Sequence, residues 1–252
     1  MISRRHALKA LASLALCPLC KPTAFAAEGA HWSYSGAGGP DKWGDLDAAN
    51  KVCSVGSQQS PIDVISTIPA KLPPLKIAWN RRTAEVVNNG HTIQANMAEG
   101  STLTVGNDKY SLLQFHFHHP SEHLVGGKPY PMEIHFVHRN AAGGLAVVGV
   151  LIAAGKANAA FKKIVATMPS KPGDKVKADA GIDPNGLLPA SRSYYRYSGS
   201  LTTPACNETV DWLLLTTPIG VAKADVDAFA KLYAMNARPV QKINRRFVLR
   251  SG

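Results

Sequence analysis

Two stretches, Gln114-Phe115-His116-Phe117-His118 and Glu133-Ile134-His135-Phe136-Val137-His138, limit this chain more than any other feature. Both alternate apolar with polar residues, the period-2 signature of a strand whose two faces meet different surroundings. Residues i and i+2 of a strand point the same way, so His116 and His118 share a face about 7 Å apart. Gly126-Gly127 and Pro129-Tyr130-Pro131 lie between the stretches and mark a turn or short excursion. Antiparallel pairing then lays His135 beside His116 and His118, and three imidazoles converge on one point.

Three neutral imidazoles without a thiolate suit a catalytic zinc ion whose fourth position stays open to water, whereas a structural zinc site more often takes four protein ligands, commonly Cys. A lone His is usually no ligand; an H-x-H pair with a third His on a matching strand is a ligand pattern. His119 follows His118 directly and points to the other face. His138 is odd-spaced from His135, and it and His123 read as structural or hydrogen-bonding residues.

Q-F-H-F-H at 114–118, S-E-H at 121–123, M-E-I-H-F-V-H at 132–138 and Ser200-Leu201-Thr202-Thr203-Pro204 occur in that order. Together they make the chain resemble an alpha-class carbonic anhydrase of the exported bacterial type, from about Trp32 to Arg245. The resemblance implies a mainly β fold: one domain with a large central twisted, mostly antiparallel sheet and a few short peripheral helices. It implies a lyase that hydrates carbon dioxide reversibly to bicarbonate and a proton through a zinc-bound hydroxide, with Zn2+ held by His116, His118 and His135.

Further roles follow from the resemblance alone. Gln114 orients His116, Glu133 orients His135, and a backbone carbonyl near Asn236 serves His118. Thr202 gives its one hydroxyl proton to Glu122, so its oxygen accepts from the hydroxide, and Thr203 and the Thr202 N–H contact bicarbonate or inhibitors. Val137, Val147, Leu201, Val210 and Trp212 line an apolar pocket for carbon dioxide while also serving as core. His91, after the turn-rich Asn88-Asn89-Gly90, matches the proton shuttle, for which an ordinary pKa near 6.5 is suitable. Tyr34, Asn89 and Gln94 support its water chain; Gln94 stands where some members have Asn. Sulfonamides and anions are the expected inhibitors, and the expected state is a monomer or homodimer.

Residues 1–26 read as a cleaved export signal, leaving a domain at 27–252. Ser3-Arg4-Arg5 gives a basic start, Ala10–Cys17 is an apolar run too short to span a membrane, and Ala24-Phe25-Ala26 fits an A-x-A cleavage site. The start also resembles a twin-arginine signal, with Ala7 where a bulky residue is usual. A lipoprotein reading through Cys17 or Cys20 would place Leu where a small residue is wanted. The expected location is the periplasm.

Losing Arg4, Arg5, Lys9 and Lys21 with the signal lowers the formal net charge from +11 to +7. The remaining Lys and Arg are scattered rather than clustered with aromatics, which gives no support to a nucleic-acid partner. The C-x-x-C at 17–20 leaves with the signal, so it is not a metal site. Cys53 and Cys206 remain; in an exported protein a disulfide is the expected outcome, with two buried free thiols the alternative. Related exported carbonic anhydrases carry a bridge at matching positions.

Elsewhere, short β-branched or aromatic runs at Ala84–Val87, Thr102–Val105, Leu145–Ile152 and Val210–Thr216 read as strands. Ala157–Met168 and Ala224–Tyr233 read as helices. A carbonic-anhydrase-like binding module without catalysis would usually lack a zinc histidine, and all three are in place. A zinc reservoir would need an exposed, exchangeable site.

Overall fold

The computed structural model describes residues 31–81, 83–177 and 182–252; the export signal expected at 1–26 lies outside them. Thirteen strands form one sheet. Its main path runs Lys175–Lys177, Thr83–Asn88, Ile93–Met97, Asp108–His118, Met132–Asn140, Leu145–Ala154, Val210–Leu215, Tyr194–Gly199, Leu249–Ser251, Ile68–Ala70. Most pairs are antiparallel, as expected. Parallel pairs join Leu145–Ala154 to Val210–Leu215 and to Ile219–Val221, and Leu249–Ser251 to Ile68–Ala70. The four expected strands are all present, some a residue or two longer or shorter.

The helix Ala159–Thr167 starts where the Asn158 side chain accepts from the Phe161 N–H at 3.0 Å, a side-chain cap of an otherwise orphaned donor. The helix Lys223–Ala230 stops short of the expected Tyr233, because the Leu232 and Tyr233 N–H groups both donate to the Phe229 carbonyl and tighten the chain into a turn. Both helices bury one stripe, Phe161 and Ile164 on the first and Val226 and Phe229 on the second, against one face of the sheet.

That face carries the larger core, including Tyr110, Leu112, Phe115, Phe117, Ile134, Phe136 and Val148. The other face holds a smaller apolar cluster around Val137, Val147, Val210 and Trp212. Strict alternation from Tyr110 and Leu112 would send Gln114, His116 and His118 into the larger core. A bulge between Leu112 and Gln114 prevents this: Leu112 stands opposite His138, but Gln114 stands opposite Val137. One extra residue reverses the phase of the strand. Phe115 and Phe117 take over the core face, and the two histidines turn to the other.

His138 stays on the core face, fully buried beside Trp79 and 3.3 Å from the Ala146 carbonyl. Burial lowers its pKa to about 3. An imidazole that stays neutral when folded but protonates at its ordinary pKa when unfolded contributes fully above about pH 6.5. That contribution falls by about 1.4 kcal/mol per pH unit as the pH drops toward 3. Urea midpoints at pH 7 and pH 4 are expected to differ less in His138→Leu than in the parent. Equal differences would contradict a buried neutral His138.

Candidate metal centre

The pairing of Asp108–His118 with Met132–Asn140 puts His116 directly opposite His135 and His118 opposite Glu133. Opposed residues of an antiparallel pair share a face, so the three histidines meet as the sequence implies. Gly149 lies opposite His135 on the next strand. A Cβ there would come within 2.8 Å of Leu214 Cδ1 and 3.3 Å of Glu133 Oε1, so glycine keeps room for the carboxylate.

Each imidazole has one nitrogen held by the protein. His116 Nδ1 is 2.9 Å from Gln114 Oε1, His118 Nδ1 is 2.8 Å from the Asn236 carbonyl, and His135 Nε2 is 2.8 Å from Glu133 Oε1. These contacts fix ring orientation and leave the opposite nitrogen to bind. One ligand atom from each ring lies within 4.8 Å of the other two. The buried His118 Nε2 has no hydrogen-bond partner, an orphan that a metal would satisfy. Burial, then the neighbouring His118 and His135, holds His116 well below the ordinary imidazole pKa. Burial likewise lowers His118, against the pull of Glu122. Neutral rings at neutral pH are what a cation needs. Three converging imidazole nitrogens in a buried pocket fit zinc.

His123, Glu133 and His135 form a second close group, but its contacts are hydrogen bonds. Glu133 Oε1 accepts from His123 Nδ1 at 2.7 Å as well as from His135, while Oε2 accepts the Glu122 and His123 N–H groups at 3.0 and 2.8 Å. Burial would raise this carboxyl, yet the two imidazoles hold it well below the usual carboxylate range. The chain continues from His123 Nε2 to the Tyr197 hydroxyl at 2.6 Å and on to Ser60 Oγ at 3.0 Å. His123 thus has the hydrogen-bonding place expected of it.

The apolar residues that the resemblance assembles do sit together. Val137, Val147 and Trp212 stand in one cross-strand row, Val210 and Leu201 pack with them, and the Trp212 ring lies edge-on to His135 at 4.8 Å. Thr202 is buried and Thr203 is half-buried. Their loop is tied by Leu201 N–H to the Asn207 carbonyl, by Cys206 N–H to the Thr203 carbonyl, and by the Cys53–Cys206 disulfide.

The expected Thr202–Glu122 hydrogen bond is not closed. Glu122 Oε1 instead accepts the Arg238 N–H at 2.8 Å, and Oε2, 3.8 Å from His135 Nδ1, has no partner. Arg238 carries no sequence signal for this place. Its guanidinium donates to the Ser60 and Cys53 carbonyls and lies over Trp43, and burial lowers its pKa to about 10. These hydrogen bonds span 116 to 185 positions, beyond the reach of any local pattern.

His91 stacks on Trp32 with ring centroids 3.6 Å apart and lies 5.4 Å from His31. Burial, then His31, lowers its pKa. Asn89 Nδ2 donates to Gln94 Oε1 at 3.3 Å, and Gln94 Nε2 donates to Asn96 Oδ1 at 2.7 Å. Tyr34 packs against Trp32 and Trp43, and burial followed by Glu122 raises its hydroxyl pKa well above 10.0. Trp32 marks the start of the resemblance, but nothing in its spacing links it to His91.

Comparison with known proteins agrees with this arrangement. The profile of the eukaryotic-type carbonic anhydrase family matches residues 38–252. A carbonic anhydrase of Neisseria gonorrhoeae is 43% identical over 221 residues, 87% of either chain. One of Klebsiella pneumoniae is 41% identical over 243 residues, covering 95% of this chain and 96% of its own. The solved complex of the alpha-carbonic anhydrase from Thermovibrio ammonificans with the inhibitor sulfanilamide is 45% identical. It superposes with a TM-score of 0.86 over 88% of this chain and 99% of that one. With the histidine triad in place, the chain belongs to the eukaryotic-type, or alpha, carbonic anhydrase family.

Proposed function

We propose that the protein hydrates carbon dioxide reversibly to bicarbonate and a proton, using zinc held by His116, His118 and His135. The observation that carries this reading is the convergence of three ring nitrogens within 4.8 Å, each on an imidazole whose other nitrogen is already held. Zinc bound there would supply the acidity that, in this family, brings the pKa of a coordinated water far below that of bulk water, to about 7.

The protein's part is to orient and to exclude. Gln114, Glu133 and the Asn236 carbonyl hold the rings, and the ionised Glu133 keeps the His135 proton on Nε2. Val137, Val147, Leu201, Val210 and Trp212 offer carbon dioxide an apolar wall. Thr202 gives its single proton to the free Glu122 Oε2, so its oxygen accepts from the reacting solvent molecule, and Thr203 faces the product. His91 takes the released proton outward, with Tyr34, Asn89 and Gln94 lining its route. The protein works in the periplasm after cleavage of 1–26; the disulfide is compatible with that compartment.

Metal content measured beside carbon dioxide hydration, followed by proton release, tests the reading. A zinc-loaded protein no faster than buffer would reject it. Sulfanilamide, the inhibitor bound in the Thermovibrio complex, is expected to inhibit this protein as well. His91→Ala is expected to slow turnover by up to about 100-fold in weak buffer, the lower end of the usual worth of a positioned acid–base group, with partial recovery on adding imidazole. Equal loss at every buffer concentration would remove His91 from the proton route.

A further inference from the structure

Behind Tyr197 and Val210 lies a cleft of about 1230 Å³ that none of the three histidines lines. Its walls include Tyr110, Leu145, Phe247 and Leu249 on the apolar side and Arg196, Arg245, Arg246, Glu208 and Asp211 on the charged side. The acids are already answered. Asp211 takes a two-pronged contact from Arg196 at 3.0 and 2.9 Å, and Glu208 Oε1 accepts from the Gln58 N–H and Gln59 Nε2 at 2.6 and 2.9 Å.

Of the remaining cations, Arg246 is answered. It bonds backbone carbonyls at Ile243, Ser198, Gln59 and Lys242, lies over the Tyr197 ring and feels the charge of Glu208, so it serves as a fixed part of the wall. Arg245 is exposed, and among the described residues no carboxylate lies within 4.0 Å of it. A smaller neighbouring cleft adds Lys109 and Arg139, both exposed. Phe247 stands on the same wall with 72% of its surface exposed, an aromatic that the core does not use.

Carbon dioxide and bicarbonate are far too small to fill such a space, which matches or exceeds the usual pocket for a drug-sized molecule. A planar guanidinium recognises carboxylates and sulfonates and also stacks on aromatic faces. We propose that this cleft is a second ligand site, for a small organic anion with an aromatic body: its ring against Phe247, its acid group at Arg245.

The aromatic sulfonate 8-anilinonaphthalene-1-sulfonate serves as probe, titrated by fluorescence into the mature, oxidised, zinc-loaded protein with and without saturating sulfanilamide. One saturable site is expected, unaffected by sulfanilamide and weakened at least tenfold by Arg245→Glu and by Phe247→Ser. Lys231→Glu, an equal change of charge at the end of the helix Lys223–Ala230, is expected to leave binding intact. Retained carbon dioxide hydration shows that each variant is folded. The proposal is overturned by loss of binding under sulfanilamide, by no saturable binding, by parental affinity in both cleft variants, or by equal weakening in Lys231→Glu.

Discussion

His135→Ala is expected to lose both stoichiometric zinc and essentially all carbon dioxide hydration. Two effects act together. The centre falls from three ligand nitrogens to two, and Glu133, which accepts from four donors in the parent, keeps its charge in a fully buried place with one donor fewer. Disturbing an outer partner of a metal ligand typically costs about 10–100-fold in metal affinity or activity, and removal of the ligand itself costs more. Glu133→Gln therefore makes the useful companion, with metal bound about 10–100-fold more weakly rather than lost. Zinc content after dialysis and proton release on mixing with carbon dioxide read both. Stoichiometric zinc retained by His135→Ala would contradict the ligand assignment.

Opening the Cys53–Cys206 bridge is expected to act on stability far more than on chemistry. The bond joins residues 153 positions apart, a loop for which chain entropy gives an upper figure of about 5 kcal/mol. For a domain of this size each kcal/mol moves the melting temperature by about 2–4 °C, so a fall of up to about 10–20 °C is the scale to look for. Cys206 belongs to the loop of Thr202 and Thr203, while the Cys53 carbonyl is held by Arg238, so some loss of rate should accompany the fall. Thermal unfolding of Cys206→Ser, or of the parent under reductant, provides the measurement. An unchanged melting temperature would mean that no bridge forms in solution.

The histidine strands are legible in the sequence because a strand has a period of two and a ligand pattern repeats on it. The fold itself needs the resemblance, since periodicity stops at short β segments and two helices. The phase reversal also has a local signal. In Asp108–His118 the apolar phase runs through Tyr110 and Leu112, then restarts one place early at Leu113, Phe115 and Phe117, which is the bulge written in residue types. Arg238 and the Trp32–His91 stack leave no such trace. They are contacts between distant segments, and only the folded sheet brings those segments together. The Thr202–Glu122 pair is carried over by likeness alone, and no spacing could announce the Arg238 N–H that holds the other oxygen of Glu122.

Asn236 and Arg238 hold the centre from behind: the Asn236 carbonyl on His118, its side chain bridging His119, Phe117 and His91, the Arg238 amide on Glu122. A ribosome makes these residues about a hundred positions or more after the histidines they secure. A nascent chain thus presents its imidazoles long before it owns the clamp that aims them, and the triad takes its final shape only when that late segment has folded onto it.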